Sequence, residues 1–274
     1  MKDKYSAVWV SHSSISDYLK CPRAYYLRNV YRDPKTNHKI SLMTPSLALG
    51  QVIHEVIESL STLPAETRFD EPLGDKFARS WRKISGDKGG FRDPDEEKKY
   101  KDRGGEMINR VMDNPGPLKK KAIKIRQDLP YYWLSEVENI ILCGRIDWLE
   151  YVEESDSVRI VDFKTGKFDE DPSSLQLPIY YLLATHCQSK PVSGVVYWYV
   201  NRDPQPVAME LPDPLSSESR VLEVAKRVQL ARRLERFVCK HKEGCSACKP
   251  LEAIVAGHAK LVGINDFGQD VYVL

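Results

Sequence analysis

The sequence has no apolar stretch of the roughly 20 residues that a membrane-spanning helix needs. It also lacks the apolar core of a secretory signal near its charged start, and we therefore expect a cytoplasmic protein without membrane contacts. No Gly-x4-Gly-Lys-Ser/Thr phosphate-binding loop occurs, so ATP-driven translocation cannot be assigned to this chain. Six cysteines in an intracellular chain of this size argue against a disulfide framework and favour metal or cofactor ligation for some of them.

Charge is nearly balanced, with 41 basic and 39 acidic residues among 274. Its distribution is more informative, because basic residues concentrate in two places. One is the run Lys119 to Arg126, and the other is residues 220–242, which contain eight lysines or arginines and two glutamates. Each cluster is either a solvated surface or a phosphate-contacting patch.

The centre of the sequence is a predicted β-hairpin. Two runs rich in β-branched and aromatic residues, Ile140 to Tyr151 and Val158 to Phe163, flank a polar turn. Asp147 lies on the first run, and Asp162 and Lys164 share one face of the second because alternate residues of a strand point the same way. Two carboxylates and an ammonium can hold a hard divalent cation and polarise a water molecule. Asp147 and Lys164 could instead form a surface pair. A buried Asp162 favours the metal site, because an unpaired buried carboxylate is costly.

A helix is predicted from Thr44-Pro45 to about Leu60, since threonine is a good N-cap and proline a good first residue. Gly50 and His54 lie four residues apart and therefore on one face of it. The glycine would let another backbone approach, and the imidazole would point towards it. His54 is then either a metal ligand or a satisfied core histidine.

The remaining elements predict an α/β protein. We expect helices over 77–84, 96–112, 175–187 and 218–239 and strands over 194–200 and 206–211. Gln176 and Tyr180 share one face of the third of these helices.

Cysteine spacing predicts a second metal centre. Cys245 and Cys248 are separated by two residues and preceded by Cys239, which is ligand spacing but one ligand short of a closed site. Cys143 and Cys187 fall within apolar patterns, which leaves Cys21 as the remaining candidate. In a zinc site His241 could replace one thiolate.

Several of these motifs, in this order, resemble the PD-(D/E)xK nuclease superfamily. They are Gly50-x3-His54, Gly144-x2-Asp147, Val161-Asp-x-Lys164, Gln176-x3-Tyr180, Cys21 and the C-terminal cysteine group. The nearest branch holds RecB-type nuclease domains and the Cas4 exonucleases of CRISPR adaptation, and the similarity covers residues 11–60 and 134–250. It implies a restriction-endonuclease-like core, a mixed central sheet flanked by helices. We expect one nuclease domain over 1–274, with a helical and partly basic insertion at 61–130.

The resemblance also implies roles for individual residues. Asp147, Asp162, His54 and the carbonyl of Phe163 would ligate Mg²⁺ or Mn²⁺. Lys164 would position or help deprotonate the attacking water, with Gln176 and Tyr180 beside it. The segments 1–30 and 218–250 would hold a [4Fe–4S] cluster through Cys21, Cys239, Cys245 and Cys248. The order Cys-x5-Cys-x2-Cys differs from the usual pattern of the branch, and structural zinc is the alternative.

Three functions are consistent with this resemblance. The first is a DNA exonuclease on single strands or ends, working in repair with a helicase on another polypeptide. The second is a Cas4-type adaptation factor that trims fragments for the Cas1–Cas2 integrase. The third is a DNA-binding module without hydrolysis, against which the intact Asp, Asp, Lys and His argue. In each, the phosphate backbone would follow the basic helix through Lys226, Arg233, Arg236 and Lys240.

Overall fold

The computed structural model describes residues 3–274. The strands are β1 (Val8–Val10), β2 (Ile40–Leu42), β3 (Tyr131–Ser135), β4 (Ile140–Cys143), β5 (Trp148–Val152), β6 (Ser157–Lys164), β7 (Val192–Tyr199), β8 (Val207–Met209), β9 (Lys260–Ile264) and β10 (Asp270–Val273). The α-helices are α1 (His12–Lys20), α2 (Pro22–Tyr25), α3 (Pro45–Ser59), α4 (Leu73–Ile84), α5 (Pro94–Asp113), α6 (Gln176–Cys187), α7 (Pro214–Arg233) and α8 (Lys249–Val255). None of the helices in this part of the chain is long and apolar enough to cross a membrane.

The central sheet has the strand order β5-β6-β7-β8. Strands β5 and β6 pair antiparallel as the predicted hairpin, whereas β6 and β7 pair in parallel, so the sheet is mixed as expected. The apolar run at 194–200 forms most of β7, which lies between two other strands and is buried over its last five residues. This confirms the prediction of a buried central strand.

Alternation along β6 divides the core into two layers. Val158 and Ile160 pack with α6 and α7 on one face of the sheet, and Val161 and Phe163 pack with α3, α4 and α5 on the other. Asp162 and Lys164 continue the first of these faces at the carboxyl end of the strand, because side chains of a strand alternate. The sheet therefore directs the carboxylate and the ammonium towards α6.

The predicted strand from Ile140 to Tyr151 is wrong as a single element. Its first part, β4, pairs with β1 and β3 in a separate sheet, and its second part, β5, belongs to the central one. The chain leaves the first sheet at Gly144, where a Cβ would lie 3.0 Å from Leu183 Cδ1 of α6. Asp147 occupies the connection immediately before β5 rather than a position inside a ladder.

Helix α3 confirms the predicted cap, since the Thr44 side chain accepts a hydrogen bond from the backbone N–H of Leu47. The helices predicted within 61–130 are present as α4 and α5. Their apolar faces carry Phe77, Trp81 and Met107 into the same core as Trp198 of β7. The 61–130 segment therefore supplies much of the helical layer on that face of the sheet.

Helix α7 ends earlier than predicted. Asp213 caps its start by accepting a hydrogen bond from the N–H of Ser216 (2.7 Å), so the helix begins four residues before Glu218. It ends at Arg233 because Glu235 adopts a left-handed conformation and the N–H of Arg236 bonds back to the carbonyl of Ala231. Arg236 therefore lies after the helix, as does Lys240.

The sequence patterns did not predict the last two strands. Strand β10 pairs in parallel with β2 and antiparallel with β9, so this small sheet joins the N-terminal and C-terminal regions. A third apolar core lies beside it and contains Cys21, Cys248, Leu251 and Ile254. The two ends of the chain are thus already in contact where the cysteines lie.

Candidate active site and cysteine centre

Asp162 and Lys164 meet at the carboxyl end of β6. Lys164 Nζ lies 2.9 Å from Oδ2 of Asp162 and 3.2 Å from Oε2 of Glu170. Asp162 is 1% exposed, whereas the lysine side chain keeps 16% of its surface. The carboxylate is therefore held inside the protein while the ammonium reaches the surface beside it.

The first turn of α6 holds the Asp162 carboxylate from the other side. Nε2 of Gln176 donates to Asp162 Oδ1 at 2.8 Å and lies 3.3 Å from the Tyr180 hydroxyl, while Oε1 of Gln176 accepts from Lys164. Asp162 Oδ2 has an ion-pair contact but no aligned hydrogen bond within residues 3–274. The burial of this carboxylate is therefore offset by Gln176 at one oxygen and by the Lys164 ammonium at the other.

Helix α3 brings His54 to the same place. Its Nδ1 lies 3.4 Å from Asp147 Oδ2 and 3.2 Å from Glu58 Oε1. Asp147 Oδ2 also accepts a hydrogen bond from the backbone N–H of Phe163 (3.0 Å), which joins the loop before β5 to β6. A Cβ on Gly50 would approach the side-chain hydroxyl of Thr165, the residue after β6, to 3.3 Å. The neighbour at this glycine is thus a side chain and not the backbone that the sequence pattern predicted.

A carboxylate from the loop before β5, a carboxylate and a lysine from β6, and a histidine from α3 thus converge on one edge of a mixed sheet. The family model described as the PD-(D/E)XK nuclease superfamily matches residues 9–252. The chain belongs to the PD-(D/E)XK nuclease superfamily. No curated protein matches it. Membership supports a metal-dependent nuclease with DNA as its substrate, and the mixed sheet between helical layers is consistent with the superfamily fold.

PD-(D/E)XK nucleases use divalent metals, and the residues present fit one. Donor atoms of His54, Glu58 and Asp147 all lie within 4.8 Å of one another. Asp162 lies outside that group of three, but its charge, like those of Asp147 and Glu58, raises the pKa of the His54 imidazole. Carboxylate oxygens suit Mg²⁺ and Mn²⁺, and an imidazole suits the softer manganese better.

The pKa values of Asp147 and His54 are set by burial and by the neighbouring charges. Burial raises the pKa of Asp147, and the nearby carboxylates of Asp162 and Glu58 raise it further. Burial lowers the pKa of His54, but those three carboxylates outweigh it and raise the value to about 9. Without a cation, the imidazole therefore carries the proton that partly neutralises the carboxylates.

Lys164 is charged at neutral pH. Burial lowers its pKa, but Asp162 and Glu170 raise it more, so the net shift is upward from the ordinary value. Tyr180 is neutral, because burial and the two aspartates raise its pKa well above the usual range. The site therefore offers an ammonium as a fixed positive charge and a phenol as a hydrogen-bonding group.

Three residues of this region were missed by the sequence analysis. Glu58 follows His54 by one helical turn, and that spacing could have indicated it. Glu170 lies in the loop after β6 and pairs with Lys164, and no pattern in the sequence marks it. His12 lies in the first turn of α1 beside Glu170, where burial and the Lys164 charge lower its pKa to about 4. Its neutral imidazole lines a cleft of about 360 Å³ with Glu170.

The four cysteines proposed as ligands lie together. The Sγ atoms of Cys21, Cys239, Cys245 and Cys248 are all within 4.8 Å of one another, and the last two are 3.9 Å apart. All are free thiols. The group joins the end of α1 to the segment before α8, and His241 is not part of it. Cys143 and Cys187 lie elsewhere, in the core and at its edge, as predicted.

The pKa values of two of these cysteines shift in opposite directions. Burial raises the pKa of Cys21 to about 12. The backbone N–H groups of Cys248 and Ala247 lower the pKa of Cys245 to about 7. Zn–S bonds of about 2.3 Å place tetrahedral thiolates roughly 3.8 Å apart, close to the observed spacing, whereas the corners of a four-iron cluster are farther apart. A four-thiolate centre fits, and the spacing is nearer to that of a single ion.

The four residues predicted to contact DNA differ in whether a carboxylate already balances their charge. Lys226 pairs with Glu138 at 2.8 Å, so part of its charge is already balanced. Arg233, Arg236 and Lys240 are exposed and have no carboxylate within 4.0 Å in the part of the chain that the structure describes. Part of the other basic run is also engaged, since Lys120 lies 3.0 Å from Oε1 of the buried Glu150.

Proposed function

We propose that the protein is a metal-dependent DNA nuclease that hydrolyses phosphodiester bonds of single strands or DNA ends. The observation that carries this proposal is the grouping of ligand atoms from His54, Glu58 and Asp147 within 4.8 Å of one another, at the edge of the sheet where Asp162 and Lys164 pair. An imidazole and carboxylates that converge on one edge of the sheet are ligands that a divalent cation such as Mn²⁺ takes.

The residues of the chain have separate tasks in this proposal. The Lys164 ammonium remains protonated, so it orients the attacking water and offsets charge on the phosphoryl oxygens rather than acting as the base. Gln176 fixes both Asp162 and Lys164 through its two amide atoms. This arrangement positions the groups before the substrate arrives, which lowers the cost of reaching the transition state.

A divalent cation would be held by His54, Asp147, Asp162 and the carbonyl of Phe163, and we add Glu58 to this set. When bound, it lowers the pKa of a coordinated water and neutralises charge on the phosphate. The cleft lined by His12 and Glu170 lies beside Lys164 and is the proposed place for the nucleotide next to the scissile bond.

Metal dependence and His54 test the proposal together. End-labelled single-stranded DNA should be cut in Mn²⁺ and left intact in EDTA. His54→Ala should require about tenfold to a hundredfold more Mn²⁺ for half-maximal cleavage, because it removes one ligand. Titrating Mn²⁺ against cleavage rate measures both effects.

The pH dependence of Mn²⁺ binding provides a second test of His54 as a ligand. Since the metal-free His54 has a pKa near 9, manganese must displace its proton at neutral pH. Apparent affinity should rise by up to roughly tenfold per pH unit towards pH 9, and this rise should be shallower in His54→Ala. Equal affinity and equal pH dependence in the two proteins would remove His54 from the site.

The basic surface gives an independent prediction. Replacing Arg233 and Arg236 by alanine should weaken binding of all DNA sequences alike, because phosphate contacts act through counterion release. The slope of log affinity against log salt should fall by about 0.7 per lost contact on single strands. Lys226→Ala is the matched control, since Glu138 already balances that charge. An unchanged salt slope in the double variant would show that these two arginines lie on a solvated surface and do not contact the phosphates.

The four-cysteine group supports placing the protein in the RecB-type and Cas4-like branch. We propose a [4Fe–4S] cluster on that resemblance, and the sulfur spacing gives structural zinc as the alternative. Within the branch, a repair nuclease with a separate helicase and a factor that trims fragments for Cas1–Cas2 would use the same chemistry. Cleavage by the isolated protein would exclude the non-catalytic DNA-binding module.

A further inference from the structure

A second cleft, of about 240 Å³, is lined by three basic side chains from distant parts of the sequence. Arg32 follows the helical turn after α2, Lys39 precedes β2, and Arg232 lies in the last turn of α7. Tyr25 and Trp9 form part of the walls. The fold therefore brings Arg232, from the basic 220–242 cluster, together with Arg32 and Lys39, which no sequence pattern marked.

These cations are not balanced by acidic neighbours. Within residues 3–274, none of the three has a carboxylate within 4.0 Å. Asp17, on the neighbouring α1, is already paired with Arg28 at 2.8 Å. Arg32 donates one hydrogen bond to the carbonyl of Asn37, which leaves most of its five N–H donors free.

The three charges also act on one another. Burial lowers the pKa of Lys39, and the charges of Arg32 and Arg232 lower it further. Like charges that converge without a counter-ion repel, and a cleft with low-dielectric walls strengthens that repulsion. An oxyanion with several acceptor oxygens would relieve it, and a phosphate group matches the guanidinium fork and the ammonium together.

We propose that Arg32, Lys39 and Arg232 bind a backbone phosphate of the nucleic acid strand at a subsite separate from the catalytic centre. This inference rests on the proposed function. Ser14 of α1 lines the cleft, whereas His12, at the start of the same helix, lies beside Glu170 near Lys164. A helix is about 10–12 Å wide, which roughly three or four nucleotides would span at about 3.4 Å each. A strand held at both places would be positioned several nucleotides from the bond that is cut.

The test measures binding of a labelled single strand of about 20 nucleotides, longer than the ~4–16 that one small module covers. All proteins carry Asp162→Asn, so the strand stays intact, and all retain their cysteine centre. Arg32→Ala, Lys39→Ala and Arg232→Ala should each weaken binding about fivefold at ~0.1 M salt and lower the salt slope by about 0.7. Lys35→Ala, an exposed lysine in the same loop but outside the cleft, should change neither.

Arg232→Lys keeps the charge but not the guanidinium fork, so its affinity should fall between those of the wild type and Arg232→Ala. Melting temperatures of all variants are measured alongside. Wild-type affinity and salt slope in the three alanine variants would overturn the proposal, as would an equal loss in Lys35→Ala. A further outcome would assign the cleft to free phosphate instead. In that case inorganic phosphate would raise the melting temperature only when Arg232 is present, and Arg232→Ala would not change the affinity for the strand. Cleavage is measured separately with the wild type. If the wild type cuts DNA but the cleft variants bind as it does, only the subsite is refuted. If the cleft variants bind more weakly but the wild type does not cut, only the nuclease proposal is refuted.

Discussion

Cys21→Ser should lose the bound metal and a large part of the folding stability together. Cys21 lies at the end of α1, and its three partners lie near the C-terminus, so ligation closes a loop of about 220 residues. Closing a loop of that length removes roughly 5 kcal/mol of denatured-chain entropy, and metal binding to a folded site adds to this. We expect the melting temperature to fall by about 10–20 °C. Thermal unfolding with metal analysis on the same sample measures both losses.

Cys187→Ser is the matched control, because Cys187 is a partly buried thiol outside the four-cysteine group. It should keep the metal and unfold near the wild-type temperature. Anaerobically purified wild type should be brown, with iron and sulfide in equal amounts, and colourless protein with one zinc per chain would replace the cluster by a structural ion. A metal-free wild type whose melting does not change in Cys21→Ser would remove the centre altogether.

Much of the fold could be predicted because its strongest signals are local. Thr44 and Pro45 fix the start of α3 by capping, and the apolar alternation on both sides of the 153–157 turn indicates the β5–β6 hairpin. Boundaries that depend on distant contacts could not be predicted. The strand break at Gly144 follows from the change of sheet between β4 and β5, at a point where Leu183, some 40 residues later in the sequence, lies close to the backbone. The end of α7 depends on the backbone turn at Glu235, for which the sequence has no glycine to mark it.

The same distinction holds for the candidate site. Asp162 and Lys164 could be assigned to one face from strand alternation alone, and Gln176 with Tyr180 from helical spacing. The contact between His54 and Asp147 joins positions about 90 residues apart, and only the resemblance to a family linked them beforehand. Glu170 was missed because it lies in an irregular loop after β6, where no sequence pattern predicts its contact with Lys164. Strands β9 and β10 were missed because β10 pairs with a strand more than 200 residues away.

Asp162→Asn should abolish strand cleavage while leaving the protein folded and able to bind DNA. Asparagine has the same shape, and its side-chain oxygen can still accept the hydrogen bond from Gln176 Nε2. The substitution removes the charge that Lys164 faces at 2.9 Å and the buried oxygen proposed as a metal ligand. We expect the cleavage rate to fall about 10³-fold or more, or about 4 kcal/mol of transition-state stabilisation.

The matched control lies on the same hairpin. Asp156 is an exposed aspartate at the other end of β5 and β6, where it contacts Lys190 and Tyr151. Asp156→Asn should therefore cut DNA at the wild-type rate. A melting curve and a DNA-binding isotherm for both variants separate lost chemistry from lost structure.

The central claim is that Asp162, with Asp147 and His54, forms the metal-dependent centre that hydrolyses DNA. The most direct test is the initial rate of cleavage of end-labelled single-stranded DNA in Mn²⁺ by the wild type, Asp162→Asn and Asp156→Asn, each repeated in EDTA. We predict cutting by the wild type and Asp156→Asn only, and none by any protein in EDTA. Cleavage by Asp162→Asn at the wild-type rate, undiminished cleavage in EDTA, or a wild type that binds DNA and Mn²⁺ without cutting would contradict the claim.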